Sequence, residues 1–394
     1  MPTKPGSESI RIRNLSRVLA LLHRRGPLAR AELTRLTGFN RSTVGALTTE
    51  LARLGLAYET EAPAAGRAGR PSPLVHPNER VAVLAVHPDV DAVTVGLVGL
   101  GGTVHRRVRC NAASPSVPET VDITKTVVGS MASALAAMDR VVGIGAAVPG
   151  LVDSSDGSVR LAPHLGWKNE PLAAVLSSAL SLPAWAGNDA TLGTLAESTF
   201  GAGVGQDNVV YLNGSASGIG GGAVVGGVPL SGADGFAGEL GHTLVRTGGL
   251  PCHCGRRGCL ETEVNLAGLL EVLGLQTADL DQLEAAMRTQ DSPELRETAA
   301  RQLDLLGEAL VNFVNIFNPR TVLLGGFLGV LWAFDPQRLQ NIVAQGAISG
   351  LGGSVAIRRA ALGADLLLVG AAELAFAPLL AKPAPSVPGL AETR

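Results

Sequence analysis

The stretch Gly238-Glu239-Leu240-Gly241-His242, followed by Cys252-His253-Cys254-Gly255-Arg256-Arg257-Gly258-Cys259-Leu260-Glu261, organises the chain. It gathers three of the four cysteines and two carboxylates, Glu239 and Glu261, into 24 residues. A Cys-x-Cys pair, a third Cys five residues beyond the second, and a His ten residues upstream have the spacing of one closed metal site. Thiolate and imidazole suit Zn²⁺, which takes four such ligands in a tetrahedron at structural sites. The expectation is a structural Zn²⁺ on His242, Cys252, Cys254 and Cys259. Gly255 and Gly258 would let the backbone fold sharply enough for the thiolates to converge. Four protein ligands leave no open position for a reactive water, so the metal stands apart from catalysis.

Working outward, 394 residues suggest two or three domains. Charged residues are 17% and aromatics 3%, so the core must be built from Ala, Val, Leu and Ile around many glycines. No unbroken apolar run reaches the 18 or so residues that span a bilayer. The polar start, Met1 to Arg13, lacks an apolar signal segment. Cys110 has no obvious partner, which argues against a disulfide framework and for the reducing cytoplasm. Net charge is −2, but residues 1–80 hold 13 Lys or Arg against 6 Glu. A basic module on an acidic body points to a polyanion partner for the first part only.

That first part reads as helix Ile10 to Arg25, helix Arg30 to Leu36, a turn at Thr37-Gly38, and helix Arg41 to Leu54 capped by Asn40. This is helix-turn-helix order. The third helix would enter the major groove with Arg41, Ser42 and Thr43 at base edges and Thr49 on the same outward side. Leu56–Glu59 and Pro73–His76 read as paired strands. The tip between them carries Arg67 and Arg70, suited to a narrow minor groove. The alternative is a small helical bundle that docks a partner protein.

From Arg80 the composition turns to Val, Ala and Gly. Strands are expected over Val81–Val86, Ala92–Val98 and Thr103–Arg109 as an antiparallel meander. A helix follows over Val121–Met138, then a buried strand Val141–Val148. Another strand ends at Trp185–Asp189, before a helix Thr191–Phe200. Asn208–Asn213 and Ile219–Val225 form a hairpin. Helices follow over 266–273, 280–288, 294–317 and 365–380, with a strand at Thr321–Leu324. Residues 382–394, with three prolines, read as a disordered tail.

This order, with the segments Gly143 to Asp153, Asn188-Asp189-Ala190, Gly238 to Glu261 and Asn318-Pro319 leading into Leu324-Gly325-Gly326, resembles the ROK family of sugar-responsive repressors, sugar kinases and relatives. The resemblance covers about residues 10–380. It implies an α/β chain with an N-terminal winged helix-turn-helix plus a two-lobed actin-like ATPase (sugar-kinase-like) fold. The division would be residues 1–79 for the DNA-binding head, 80–190 for lobe one, and 191–381 for lobe two with the zinc site and C-terminal helix. It also implies a sugar effector in the cleft, held by Gly150, Asn188, Asp189, Glu239, His242 and Glu261, and a homodimer or homotetramer. Bland readings stay open: Asp189 as a helix cap, and Glu261 as a neutraliser of Arg256 or Arg257.

Kinases of the family carry Asp-x-Gly-Gly-Thr after the first strand. Here His87-Pro88-Asp89-Val90-Asp91 stands in that place. Two carboxylates would face an ATP phosphate, and the glycines that let N–H groups approach it are gone. Ser217 to Gly222 keeps the shape of the second phosphate segment. The expectation is therefore a non-enzymatic, cytoplasmic transcription regulator of carbohydrate metabolism, without membrane contact. It would bind a double-stranded DNA operator, in the manner of a repressor. A sugar kinase with a fused head, and a regulator controlled by a partner protein, are the alternatives.

Overall fold

The computed structural model describes residues 7–61 and 72–383, apart from 234, 278 and 349. The basic tip with Arg67 and Arg70, and all but the first two residues of the expected tail, lie outside the described residues.

The head comprises α1 (Ser7–Arg25), β1 (Leu28–Ala29), α2 (Arg30–Thr37), α3 (Arg41–Arg53), β2 (Ala57–Thr60) and β3 (Leu74–Pro77). The helical spacing of Leu15, Val18, Leu19 and Leu22 buries one face of α1 against Leu33 of α2 and Val44, Leu47 and Leu51 of α3. Asn40 caps α3 by accepting from the Thr43 N–H at 2.8 Å. The three strands form a small sheet in the order β1-β3-β2, which completes a winged helix-turn-helix.

Lobe one begins with β4 (Val81–Pro88), β5 (Ala92–Gly99) and β6 (Val104–Asn111), the expected meander. Next come α4 (Val117–Ser130), α5 (Ala132–Ala136) and β7 (Arg140–Val148). The single helix expected over Val121–Met138 instead starts at Val117 and breaks at Met131. Ser116 and Glu119 form a capping box that sets the earlier start. Then follow β8 (Leu151–Val152), β9 (Val159–Ala162), β10 (Trp167–Glu170), α6 (Leu172–Leu180), β11 (Ala184–Asn188) and α7 (Asp189–Phe200). The main sheet runs β11-β7-β4-β5-β6, with β7 parallel to both β4 and β11.

Lobe two holds β12 (Val209–Ser215), β13 (Gly218–Val225), β14 (Val228–Pro229), α8 (Leu260–Glu263), α9 (Leu266–Leu273), α10 (Leu280–Thr289) and α11 (Pro293–Phe317). β15 (Thr321–Gly326), α12 (Phe327–Phe334), α13 (Pro336–Gly346), β16 (Ala356–Arg359) and α14 (Leu366–Ala381) complete it in sequence. Its sheet is ordered β14-β13-β12-β15-β16.

Two findings depart from expectation. The C-terminal helix, grouped with lobe two by sequence order, packs along α7 and on β7 and β4 of lobe one. Its residues share a core with that sheet and with the head (Val83, Val142, Leu368, Phe376 and Leu379 beside Leu19 and Leu22). The same segment, Gly363–Ala381, is long and apolar enough for a membrane span by composition, although 56% of its apolar window is buried. Counting unbroken apolar runs misses it because Asp365 and Glu373 interrupt the run. Glu373 is itself buried, on a core helix.

Candidate ligand cleft and metal centre

β11 ends and α7 begins at one peptide, and this junction builds the first wall of a cleft. Asn188 accepts from the Thr191 N–H at 2.9 Å and so caps α7. Its amide donates to the Gly150 carbonyl at 3.0 Å. The cap is therefore Asn188, whereas Asp189 was the bland candidate for that role. Asp189 is the first helical residue and accepts from the Ala190 N–H at 2.8 Å. Gly150 must lack a side chain, since a Cβ would stand 2.4 Å from the Leu161 carbonyl oxygen.

The second wall comes from a segment with almost no regular structure, between β14 and α8, and from α8 itself, a single helical turn that carries Glu261. Glu239 precedes a single 3-10 turn, Leu240–His242. Isolated bridges, Leu244 to Cys259 and Pro251 to Arg257, fold the cysteine loop back on itself. The result brings His242, Cys252, Cys254 and Cys259 together, with ligand atoms within 4.8 Å of one another. His242 Nδ1 lies 3.5 Å from Cys252 Sγ, and Cys254 Sγ lies 3.7 Å from Cys259 Sγ. A tetrahedron with Zn–S about 2.3 Å and Zn–N about 2.1 Å has edges of about 3.6 and 3.8 Å. The donor set and spacing therefore fit that ion.

His242 presents its other nitrogen, Nε2, to Glu239 at 3.8 Å. Glu261 does not pair with Arg256 or Arg257. Its Oε1 lies 2.9 Å from Cys252 Sγ, 3.2 Å from His242 Nδ1 and 3.3 Å from His253 Nδ1. It thus stands between the sulfur cluster and the cleft.

Gly150, Asn188, Asp189, Glu239, His242 and Glu261 all line one cavity of about 310 Å³. His164, His253, Asn213, Ser215 and Ser217 line it too. None of these five was among the expected effector contacts, and Ser217 was read only as the start of the second phosphate segment. His253 stood inside the quoted motif, while His164 sits on a short Pro163–Leu165 turn that no periodicity marks. The rings of His164 and His253 meet edge to face at 5.2 Å.

The charges in the cleft are tuned by burial. Asp189 has its pKa pushed up to about 6, chiefly by desolvation, with the Asp89 and Glu239 charges adding and His87 opposing. Glu239 also shifts upward through burial, against the pull of His242 and with the push of Glu261. Carboxylates that accept, beside amide, hydroxyl and imidazole groups that donate, give the mixed set of partners that recognition of a polyhydroxylated ligand requires.

On the adjoining end of β4, the loop in the phosphate position is folded onto itself. The Asp89 carboxylate accepts from the Val90 N–H at 2.7 Å, and the Asp89 N–H goes to the Ala92 carbonyl at 2.8 Å. Asp91 turns out to Arg109 at 2.6 Å. His87 binds the Ala147 carbonyl through Nδ1 at 2.9 Å and faces Asp89 at 3.8 Å. Burial works against its charge, but Asp89, Ala147 and Asp189 together raise its pKa.

In the head, Arg41, Ser42 and Thr49 are exposed and Thr43 is half-buried, its N–H taken by the Asn40 cap. Arg41, Ser42 and Thr49 thus lie on the free side of α3, away from the apolar face that packs on α1 and α2.

The ROK family model matches residues 83–377. A xylose repressor of Caldicellulosiruptor bescii is 27% identical over 336 residues, 81% of this chain and 84% of the repressor. A glucokinase of Thermotoga maritima is 36% identical over 203 residues, but these are 47% of this chain and 63% of the kinase. A solved ROK family transcriptional regulator, described as a homologue of the E. coli Mlc protein, superposes with a TM-score of 0.78 at 25% identity, over 94% of this chain and 97% of its own. With a winged head, two lobes of the actin-like sugar-kinase kind, and a family match over most of its length, the chain belongs to the ROK family.

Proposed function

We propose that the protein is a DNA-binding transcriptional regulator, acting as a repressor, whose operator affinity is set by a sugar or sugar derivative in the cleft. One observation carries the reading. The cleft converges Asn188, Asp189, Glu239, His242, Glu261 and further polar side chains on a cavity of monosaccharide size, while the neighbouring loop spends its own N–H groups on Asp89 and the Ala92 carbonyl. Phosphoryl transfer needs such groups free to position ATP. Asp189, with its raised pKa, suits a general base, but here it serves as an acceptor to ligand hydroxyls.

The head, residues 1–79, reads DNA through Arg41, Ser42, Thr43 and Thr49, with Arg67 and Arg70, between β2 and β3 in sequence, as further contacts. His242, Cys252, Cys254 and Cys259 hold one Zn²⁺, which supplies folding free energy and orients His242 and Glu261 toward the ligand. Four thiols without a disulfide suit the reducing cytoplasm. A homodimer or homotetramer would present paired reading helices to a two-fold operator.

The test pairs two assays on the full chain. Gel shift on DNA upstream of its own gene is run with D-xylose, D-glucose and other sugars, and the same sugars are offered with ATP in a coupled turnover assay. A sugar that shifts DNA affinity without ATP consumption is the expected result. Robust sugar-dependent turnover would establish the kinase reading instead.

A further inference from the structure

We infer that α7 carries the state of the cleft to the DNA-binding head through a buried junction centred on His23; this rests on the reading of the cleft as the effector site. One 12-residue helix spans the distance, about 18 Å at 1.5 Å per residue. Its cap, Asn188, and its first residue, Asp189, stand in the cleft wall. Its last residue, Phe200, sets its ring edge to face against His23 at 5.3 Å, 85° between planes. His23 lies in the last turn of α1, within the head.

Three other groups close around the same imidazole. Nδ1 accepts from the Gly101 N–H at 2.9 Å, in the turn between β5 and β6. The remaining proton is therefore on Nε2, which donates to Glu373 on α14 at 2.6 Å. Phe376, one turn along α14, meets the ring at 5.5 Å. Both His23 and Glu373 are almost wholly buried, their side chains 0% and 6% exposed. A buried polar pair of this kind is costly to part, because each group left alone would stay desolvated.

α7 and α14 cannot slide independently. Near the far end of α7, the buried Glu197 carboxylate accepts from the N–H groups of Ala361 and Leu362, just before α14, at 2.8 and 2.7 Å. The Cα of Gly370 lies so close to α7 that a Cβ there would stand 2.5 Å from the Leu192 carbonyl oxygen. A ligand that pulls on Asn188 or Asp189 therefore moves a rigid pair of helices whose other end is fastened to α1. Packed helices shift between discrete positions rather than bending continuously. The head follows, since its core is continuous with that of lobe one.

Hydrogen exchange on the full chain tests the junction without knowledge of the effector. Asp189→Asn perturbs the cleft end, and exchange is read at the far end, in peptides covering residues 15–25 and 99–103. The expected result is a change of at least threefold in exchange at the far end. That change should shrink severalfold in Phe200→Leu and, separately, in Glu373→Gln backgrounds, while the direct effect on cleft peptides persists. Unlinked substitutions this far apart act additively to within about twofold. Equal far-end changes in all backgrounds, or none in the otherwise wild-type chain, would overturn the inference. D-xylose and D-glucose are added in parallel arms. If neither protects any cleft peptide, the effector reading loses its support, whereas the Asp189→Asn comparison still decides the junction.

Discussion

The cleft has two walls built on different principles. On the first, Asn188 and Asp189 sit where a strand becomes a helix, and backbone groups of Gly150, Ala190 and Thr191 fix them. On the second, Glu239 and His242 ride on a segment whose regular structure is one 3-10 turn and two isolated bridges, and Glu261 sits in the single helical turn of α8 that follows it. Regular structure orients side chains without help. An irregular loop needs a cross-link, and here the convergent thiols and imidazole supply the ligands for one. The contrast predicts that the walls fail separately.

The largest effect should come from the second wall. Cys254→Ser, or removal of Zn²⁺ by a strong chelator, should cost at least about 5 kcal/mol of stability, given that structural zinc contributes roughly 10–16 kcal/mol in small zinc domains. Sugar affinity should fall by about 100-fold or more. Exchange should rise in residues 238–261 while residues 184–200 keep their protection. Elemental analysis paired with hydrogen exchange checks this. A metal-free preparation that binds sugar normally would remove the distinction between the walls.

Asp189 sharpens the comparison through pH. Its carboxyl titrates near pH 6 in the folded chain against an ordinary value of 3.8, mainly because of burial. The folded state thus binds more protons between these values, and stability falls as pH rises through that window. The cost is absent below 3.8 and complete above about 6. Asp189→Asn should therefore stabilise the protein by on the order of 2 kcal/mol at pH 8 and by little at pH 4, while weakening sugar binding. Urea denaturation at the two pH values measures it, and an equal effect at both would show that Asp189 is not held out of water.

How much of this could be read from residues alone follows the same division. The cysteine loop was readable because ligand chemistry and spacing are local, and the head because its apolar periodicity and the Asn40 cap are local too. β8 to β10, α6, α12 and β16 carry no comparable mark; they are short, or apolar on all sides, as in Phe327–Phe334. α13 does carry one, the Asp335 cap before Pro336 with Leu339 and Val343 on one face. His23 looks like an ordinary basic residue in a last helical turn. Its partner Glu373 is 350 positions away, and no local pattern joins them. His164 sits in the turn that joins β9 to β10, and the pairing of that hairpin with β8 sets it at the cleft, so its place also depends on tertiary structure.

The smallest effect belongs to the cap of the first wall, and it separates two jobs of one side chain. Asn188 Oδ1 caps α7, and Nδ2 ties the helix start to Gly150. Asn188→Ala removes both and should cost about 1–2 kcal/mol, the usual range for a lost cap or a lost hydrogen bond. Asn188→Ser keeps an acceptor for the Thr191 N–H but falls short of Gly150, so it should recover about half of that loss. Asn188→Asp keeps the cap and suits the positive end of the helix dipole. It loses the donor to Gly150, however, and sets a second carboxylate beside Asp189, which should push the Asp189 pKa higher still. Denaturation curves for the three variants, with NMR titration of Asp189, measure the series. If Ser and Ala are equally stable, the cap does not hold this wall and the Gly150 tie alone does. If all three match the wild type, the first wall is held by packing of α7 on α14 rather than by its polar junction.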